Sequence, residues 1–227
     1  MGCKKLIAKV KCFFVAIGVL LIGAPAVVAA ELPLIEAVKA GDGNTVRSLL
    51  ANGVAVDSSE PDGTTALHWA AHHNHEDIAQ LLLASGATVD GVNRYEVTPL
   101  ALAALNGSAG MIEGLLEAGA DPNRPNPEGE TPLMTAARTG NRLALTVLLE
   151  HGADVDAVEA WRGQTALMWA VAQNQVDAVD VLLRAGADPN VRSSGGFTPI
   201  LFAAREGYLD VIDALVRAGA NVDDVVP

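Results

Sequence analysis

The chain has 227 residues, 50% of them hydrophobic, 4% aromatic and 19% charged, with a formal net charge of −12 from 15 Lys+Arg against 27 Asp+Glu. That apolar content excludes intrinsic disorder, and the acidic balance speaks against nucleic-acid binding, which needs clustered cations to displace counterions from phosphate. Two cysteines are too few for a disulfide-dense scaffold.

Both cysteines, Cys3 and Cys12, lie in an N-terminal stretch unlike the remainder. Lys4, Lys5, Lys9 and Lys11 give it a positive start, Cys12 to Ala24 is an apolar run, and Pro25 breaks that run. Val28-Ala29-Ala30 then places small residues where a signal peptidase reads them, so residues 1–30 are predicted to be a secretory signal peptide cleaved after Ala30. Its form is bacterial, which makes the periplasm or the extracellular space the expected location. The rival is an uncleaved anchor, since Cys12 to Ala30 is just long enough to span a bilayer; Pro25 and the small-residue cut site oppose it. N-myristoylation at Met1-Gly2-Cys3 is disfavoured because Leu6 stands where the motif wants Ser or Thr. Cleavage removes four lysines and no acid, which takes the net charge from −12 to −16. It also leaves no cysteine for thiol chemistry or metal ligation, and no stable membrane insertion is expected afterwards.

Everything after Ala30 is one unit repeated. Thr65-Ala66-Leu67-His68 returns as Thr98-Pro99-Leu100-Ala101, Thr131-Pro132-Leu133-Met134, Thr165-Ala166-Leu167-Met168 and Thr198-Pro199-Ile200-Leu201, at steps of 33, 33, 34 and 33 residues. A second marker keeps the same phase: Gly53-Val54, Gly86-Ala87, Gly119-Ala120, Gly152-Ala153, Gly186-Ala187 and Gly219-Ala220. Self-similarity at such a period is the signature of a stacked repeat architecture. Within a unit, the Thr is predicted to cap a short helix by accepting from an orphan backbone N–H, with Pro99, Pro132 and Pro199 at the first helical position. Small residues follow (Ala70-Ala71, Ala103-Ala104, Ala136-Ala137, Ala170-Val171, Ala203-Ala204), which allow helices to approach closely. Gly107, Gly140 and Gly207, with Asn74 and Asn174 elsewhere, end that helix in the left-handed conformation. A second helix with apolar residues at helical spacing, such as Ile78, Leu81 and Leu82, closes at the Gly of Gly-Ala.

These residues carry the T-P-L-H-x-A-A and L-L-x-x-G-A-D-V-N signatures, and from residue 31 to 227 the chain resembles the ankyrin-repeat family. The resemblance implies an all-α solenoid of six helix-turn-helix units joined by hairpin loops, at 31–60, 61–93, 94–126, 127–159, 160–193 and 194–227. It implies little about a ligand. Departures from the pattern are visible: the motif His survives only as His68, replaced by Ala101, Met134, Met168 and Leu201. The 34-residue step puts one extra residue in the Glu159-Ala160-Trp161-Arg162-Gly163 loop, and Glu96 stands where the loop normally has Gly, which puts its turn geometry in doubt. In the last unit Val211, Ile212, Leu215 and Val216 keep the interior pattern where a solenoid end needs a polar face, so a longer array or docking of that end onto another subunit is expected.

The resemblance implies binding through loop tips and the concave face of the first helices. Loop and helix positions free of packing duty hold Arg94, Tyr95, Arg138, Trp161, Arg162, Arg192, Phe197 and Arg205, and arginine and aromatic side chains are favoured at interface hot spots. These eight are the candidate partner-binding residues; the rival reading is that the loop aromatics merely staple neighbouring loops. Trp69 and Trp169 are expected to be core. Four of the five histidines fall within His68, His72, His73 and His75. The i, i+4 pair His68/His72 has metal-binding spacing, yet each histidine also has an ordinary place in the repeat, so no metal is assigned. No phosphate loop, nucleophile elbow or metalloprotease motif occurs, and neither catalysis nor a cofactor is expected. The expected function is a non-enzymatic protein–protein interaction module in the cell envelope, whose partner has a basic surface; self-association through the last repeat is a further expectation. The alternative is an accessory protein of a periplasmic redox enzyme, or a metal or ligand binder using the histidine cluster.

Overall fold

The computed structural model describes residues 32–225; the expected signal peptide lies outside the described residues. Among the described residues there are twelve helices, taken in chain order as α1 (Pro33–Lys39), α2 (Gly43–Ala51), α3 (Ala66–His73), α4 (Glu76–Ala84), α5 (Pro99–Asn106) and α6 (Ala109–Glu117). They continue as α7 (Pro132–Thr139), α8 (Arg142–Glu150), α9 (Ala166–Ala172), α10 (Val176–Arg184), α11 (Pro199–Glu206) and α12 (Leu209–Arg217). The odd-numbered first helices stack on one another in order, the even-numbered second helices do the same, and each first helix packs on the second helix of its own unit. The result is an all-α solenoid of two helical layers, in which a unit buries its apolar face only on its neighbours.

The spacing of small and large residues explains the stacking. Leu67, Leu100, Leu133 and Leu167 repeat one position of the first helix, and none is more than 1% exposed. Ala70-Ala71, Ala103-Ala104, Ala136-Ala137 and Ala170-Val171 are completely buried, and side chains of that size let consecutive first helices touch. Leu82, Leu115, Leu148, Leu182 and Leu215 do the same work in the second layer at 0% exposure. In the sixth unit the pattern changes: Ala203 is buried, but Ala204 is exposed and Val216 is 43% exposed.

The threonine caps divide into two kinds. Thr98, Thr131 and Thr165 accept from the backbone N–H of Ala101, Met134 and Met168 at 3.1, 3.3 and 3.4 Å, as a capping hydroxyl should. Thr65 instead turns its hydroxyl to His68 Nδ1 at 2.7 Å, and its N–H donates to the same nitrogen at 3.2 Å. His68 Nε2 therefore carries the proton and donates to Val97 O, 3.0 Å away in the next unit. Thr198 donates to the Asp224 carboxylate at 2.8 Å. Where the motif His is absent, Met134 fills its place, completely buried, with Sδ 3.5 Å from the Thr131 nitrogen.

Consecutive units are also tied along their turns. Asp57 accepts from Thr88 N at 2.9 Å, Asn123 from Asp154 N at 2.7 Å, Asp156 from Asp188 N at 3.0 Å and Asn190 from Asn221 N at 2.8 Å. Asp90 takes the equivalent bond from Asp121 N. Much of the acidity in the turns is thus structural: these side chains hold the first N–H of the following turn.

Candidate functional site: the loop tips and the first-helix face

Each loop between units is a minimal finger, numbered by the unit it opens, and the third to sixth fingers are held by a side chain at the base. Asn93 Oδ1 accepts from the N–H of Tyr95 and Val97, and Asn126 Oδ1 from those of Glu128 and Glu130. Ser193 Oγ accepts from Phe197 N. The fifth finger, one residue longer, uses a carboxylate: Glu159 is only 5% exposed and accepts from Trp161, Arg162 and Gln164 N at 2.6, 2.7 and 3.1 Å. An amide offers one oxygen and a carboxylate two, so the longer loop is matched by the stronger acceptor. Fingers are also tied to one another, Arg94 N to Asp62 O at 2.7 Å, Ala160 N to Glu128 O at 3.2 Å and Ser194 N to Arg162 O at 2.7 Å. In the fourth finger that donor position is Pro127, which has no N–H.

Glu96, where the sequence put the turn geometry in doubt, takes φ 56°, the left-handed conformation that Gly63, Gly129 and Gly196 supply in the other fingers. The turn is kept, and the side chain carries the strain.

The eight nominated partner-binding residues fall into two groups. At the tips, Trp161 is 75% exposed with the Arg162 guanidinium 4.3 Å from its ring, and Tyr95 is 38% exposed with Arg94 at 5.4 Å. These are two preassembled cation–π pairs, on the third and fifth fingers. The other four are held by internal partners. Arg138 is half-buried between Glu130, at 3.2 Å, and the Trp169 ring, at 5.4 Å. Arg192 pairs with Asp224 and donates to Gly196 O at 2.6 Å. Arg205 pairs with Glu206 at 2.8 Å and lies over Phe202, whose ring also receives Phe197 at 5.4 Å. Phe197 thus packs on the first helix of its own unit rather than on a neighbouring finger.

Sequence reasoning missed Glu159 as the organiser of the fifth finger, although the extra residue there was the signal for it. It also missed Val158, 57% exposed, which with Pro125, Ala157 and Ala160 lines a groove of about 380 Å3 at the base of that finger. Lys39 was missed as well: it lies 2.7 Å from Glu60, at the end of its own unit, and 4.5 Å from the Trp69 ring in the second, while Trp69 Nε1 donates to Glu60 at 3.0 Å. Burial pulls the Lys39 pKa down, but Glu60 and Glu36 outweigh it and the net shift is upward. Trp69 and Trp169, expected as core, are half-buried at its edge.

The four histidines are not one cluster. His68 is wholly buried, with both ring nitrogens engaged, and burial lowers its pKa. Outside it His72 meets His73 edge to face at 4.9 Å, His75 stacks on His73 at 5.6 Å, and His73 lies flat on Trp69 at 5.5 Å. Burial also lowers the pKa of His72 and of His73, the latter further by the neighbouring charges of His72, His75 and Lys39. Among the described residues no group of three or more His, Cys, Asp or Glu is placed to hold a metal ion, and no helix is long and apolar enough to cross a membrane.

Charge divides by layer. The second helices carry Glu76, Asp77, Glu113, Glu117, Glu150, Asp177, Asp180, Asp210 and Asp213 against Arg47, Arg142, Arg184 and Arg217, whereas the first helices carry Glu36 and Glu206 against Lys39, Arg138 and Arg205. The acidic excess therefore sits on the second-helix layer and the turns.

Comparison with known proteins places this arrangement. A family model described as ankyrin repeats (3 copies) matches residues 34–126, 119–193 and 162–225. The ankyrin repeat domain of Bcl-3, described as a member of the IkappaB protein family, is similar with TM-score 0.79 and 30% identity over 85% of this chain and 88% of that one. The human ASB11 ankyrin repeat domain gives 0.77 and 32%, covering 86% of each chain. An ankyrin repeat domain from Acinetobacter baumannii gives 0.78 and 30%, covering 83% of this chain and 98% of that one. No curated protein matches the chain. Repeats of this kind are protein–protein interaction modules, typically non-enzymatic scaffolds, and the chain belongs to the ankyrin-repeat family.

Proposed function

We propose that the chain is an exported, non-enzymatic binding module whose protein partner docks on the finger tips, centred on the fifth finger, and extends onto the first-helix face. One observation carries this reading: Trp161, 75% exposed and stacked under Arg162, projects from a finger whose backbone is fixed by a buried carboxylate. A rigid, exposed aromatic with an arginine loses little entropy on binding, which is what an interface anchor requires. The net charge of −16 for the form lacking residues 1–30 favours approach by a partner with a basic surface, while contact at the fingers is made by arginine. Affinity capture from an envelope extract of the native cell, comparing wild type with Trp161→Ala/Arg162→Ala, tests this; the double variant is expected to lose partners, and identical partner sets would refute the surface.

Export to the periplasm or beyond is part of the same proposal and rests on residues 1–30. Mass spectrometry of the native protein is expected to find Glu31 at its N-terminus, and an intact Met1 in a cytosolic fraction would overturn export. Self-association through the sixth unit is supported by the exposure of Ala204 and of Val216 at 43%. Sedimentation equilibrium is expected to show a dimer that Val216→Asp dissociates; a strictly monomeric wild type would dismiss it.

A further inference from the structure

Four cations on the finger and first-helix side are neutralised within the chain: Lys39 by Glu36 and Glu60, Arg138 by Glu130, Arg192 by Asp224 and Arg205 by Glu206. Arg162 makes no ion pair among the described residues; its guanidinium lies 4.3 Å from the Trp161 ring. The acid nearest in sequence, Glu159, is already committed, one oxygen to the N–H of Trp161 and the other to those of Arg162 and Gln164. A guanidinium stacked on an aromatic face keeps its N–H edge directed outward, in the fork geometry that matches a carboxylate.

The groove of about 380 Å3 at the base of the same finger supplies the apolar half of a site. Most of its polar lining is already engaged: Asn123 donates to Gly152 O and accepts from Asp154 N, Thr131 accepts from Met134 N, and Asp154 accepts from Asp156 N through one oxygen. What remains for a visitor is Pro125, Ala157, Val158 and Ala160.

We infer that the fifth finger binds a partner segment in which an apolar side chain is flanked by Asp or Glu. The apolar group seats against Val158 and Ala160, and the carboxylate accepts two N–H bonds from Arg162. The inference rests on the finger being the partner surface, and it names the chemistry of the segment that touches it. The protein's overall acidity, carried by the second-helix layer and by the turns, Glu128 on the neighbouring finger included, opposes this contact only at short range, because exposed charges beyond about 8 Å are largely screened at physiological ionic strength.

A phage-displayed library of random dodecapeptides, selected on the purified full chain, tests it, with affinities of the enriched peptides measured by fluorescence polarisation. Enriched peptides are expected to carry Asp or Glu within two residues of Leu, Ile, Phe or Trp. Trp161→Ala and Arg162→Glu should each weaken them about tenfold or more, and Arg162→Lys should recover part of the loss. Enrichment of Lys- and Arg-rich peptides, or acidic peptides that need Trp161 but ignore Arg162→Glu, would overturn the carboxylate assignment and leave the finger surface standing. Binders indifferent to Trp161→Ala, Val158→Asp and Arg162→Glu alike, or no enrichment at all, would overturn the surface itself. A dimer in sedimentation equilibrium that Val158→Asp dissociates would assign the groove to a second copy and so overturn the inference.

Discussion

At the scale of single residues, His68 makes the second unit sensitive to mild acid. Burial holds its pKa below the ordinary value of about 6.5, so the unfolded chain takes the proton more readily than the folded one. In the window between the two values the unfolded state binds more protons; stability is therefore full above pH about 6.5 and is lost as pH falls through the window. His72 and His73 shift in the same direction, also chiefly by burial, and add to the loss. The denaturation midpoint should be level above pH about 7.5 and fall toward pH about 5. His68→Met, the residue of the fourth and fifth units, should flatten that fall; an unchanged slope would transfer the effect to His72 and His73. Glu96 is the opposite case, a side chain in a glycine conformation at φ 56°. Glu96→Gly should raise stability by about 1 kcal/mol in urea denaturation, and a loss would mean that the side chain contributes more than the strain costs.

At the scale of the element, the fingers separate what the sequence could and could not show. The caps of the third to fifth units and the left-handed helix ends were legible because each is a local requirement recurring at fixed phase: Thr98, Gly107 and Gly140 appear where the backbone needs them. The loop residues were legible as a set but not as individuals. Arg138 and Arg162 look equivalent in sequence, yet one is clamped between Glu130 and the Trp169 ring of the next unit while the other pairs with no acid among the described residues. Glu159 was invisible for a related reason: its three bonds exist only once the extra residue curls the loop over it. Glu159→Ala takes the acceptor from three part-buried N–H groups and should cost about 1–2 kcal/mol, measured by chemical denaturation. Glu128→Ala, at the exposed tip of the fourth finger, should stay within about 0.5 kcal/mol. Equal effects would deny Glu159 its organising role.

At the scale of the whole molecule, a stack in which each unit leans on two neighbours is weakest where it leans on one. Leu133 is 1% exposed between the third and fifth units, and Leu133→Ala should cost about 3 kcal/mol. Ile200, at 8% exposure beside the exposed Ala204, should lose distinctly less on truncation to Ala, and in the monomeric Val216→Asp variant amide exchange should be fastest in α11 and α12. Uniform protection along the solenoid would contradict this gradient. The proline in the fourth finger acts at the same scale. Because Pro127 has no N–H to offer the third finger, the row of fingers is stitched as two lengths, the second with the third and the fourth through the sixth, with a seam between. Arg94 and Tyr95 lie on one side of that seam, Trp161 and Arg162 on the other. A partner that holds both arginine–aromatic grips therefore spans the junction at which residue 127 offers no main-chain bond from finger to finger.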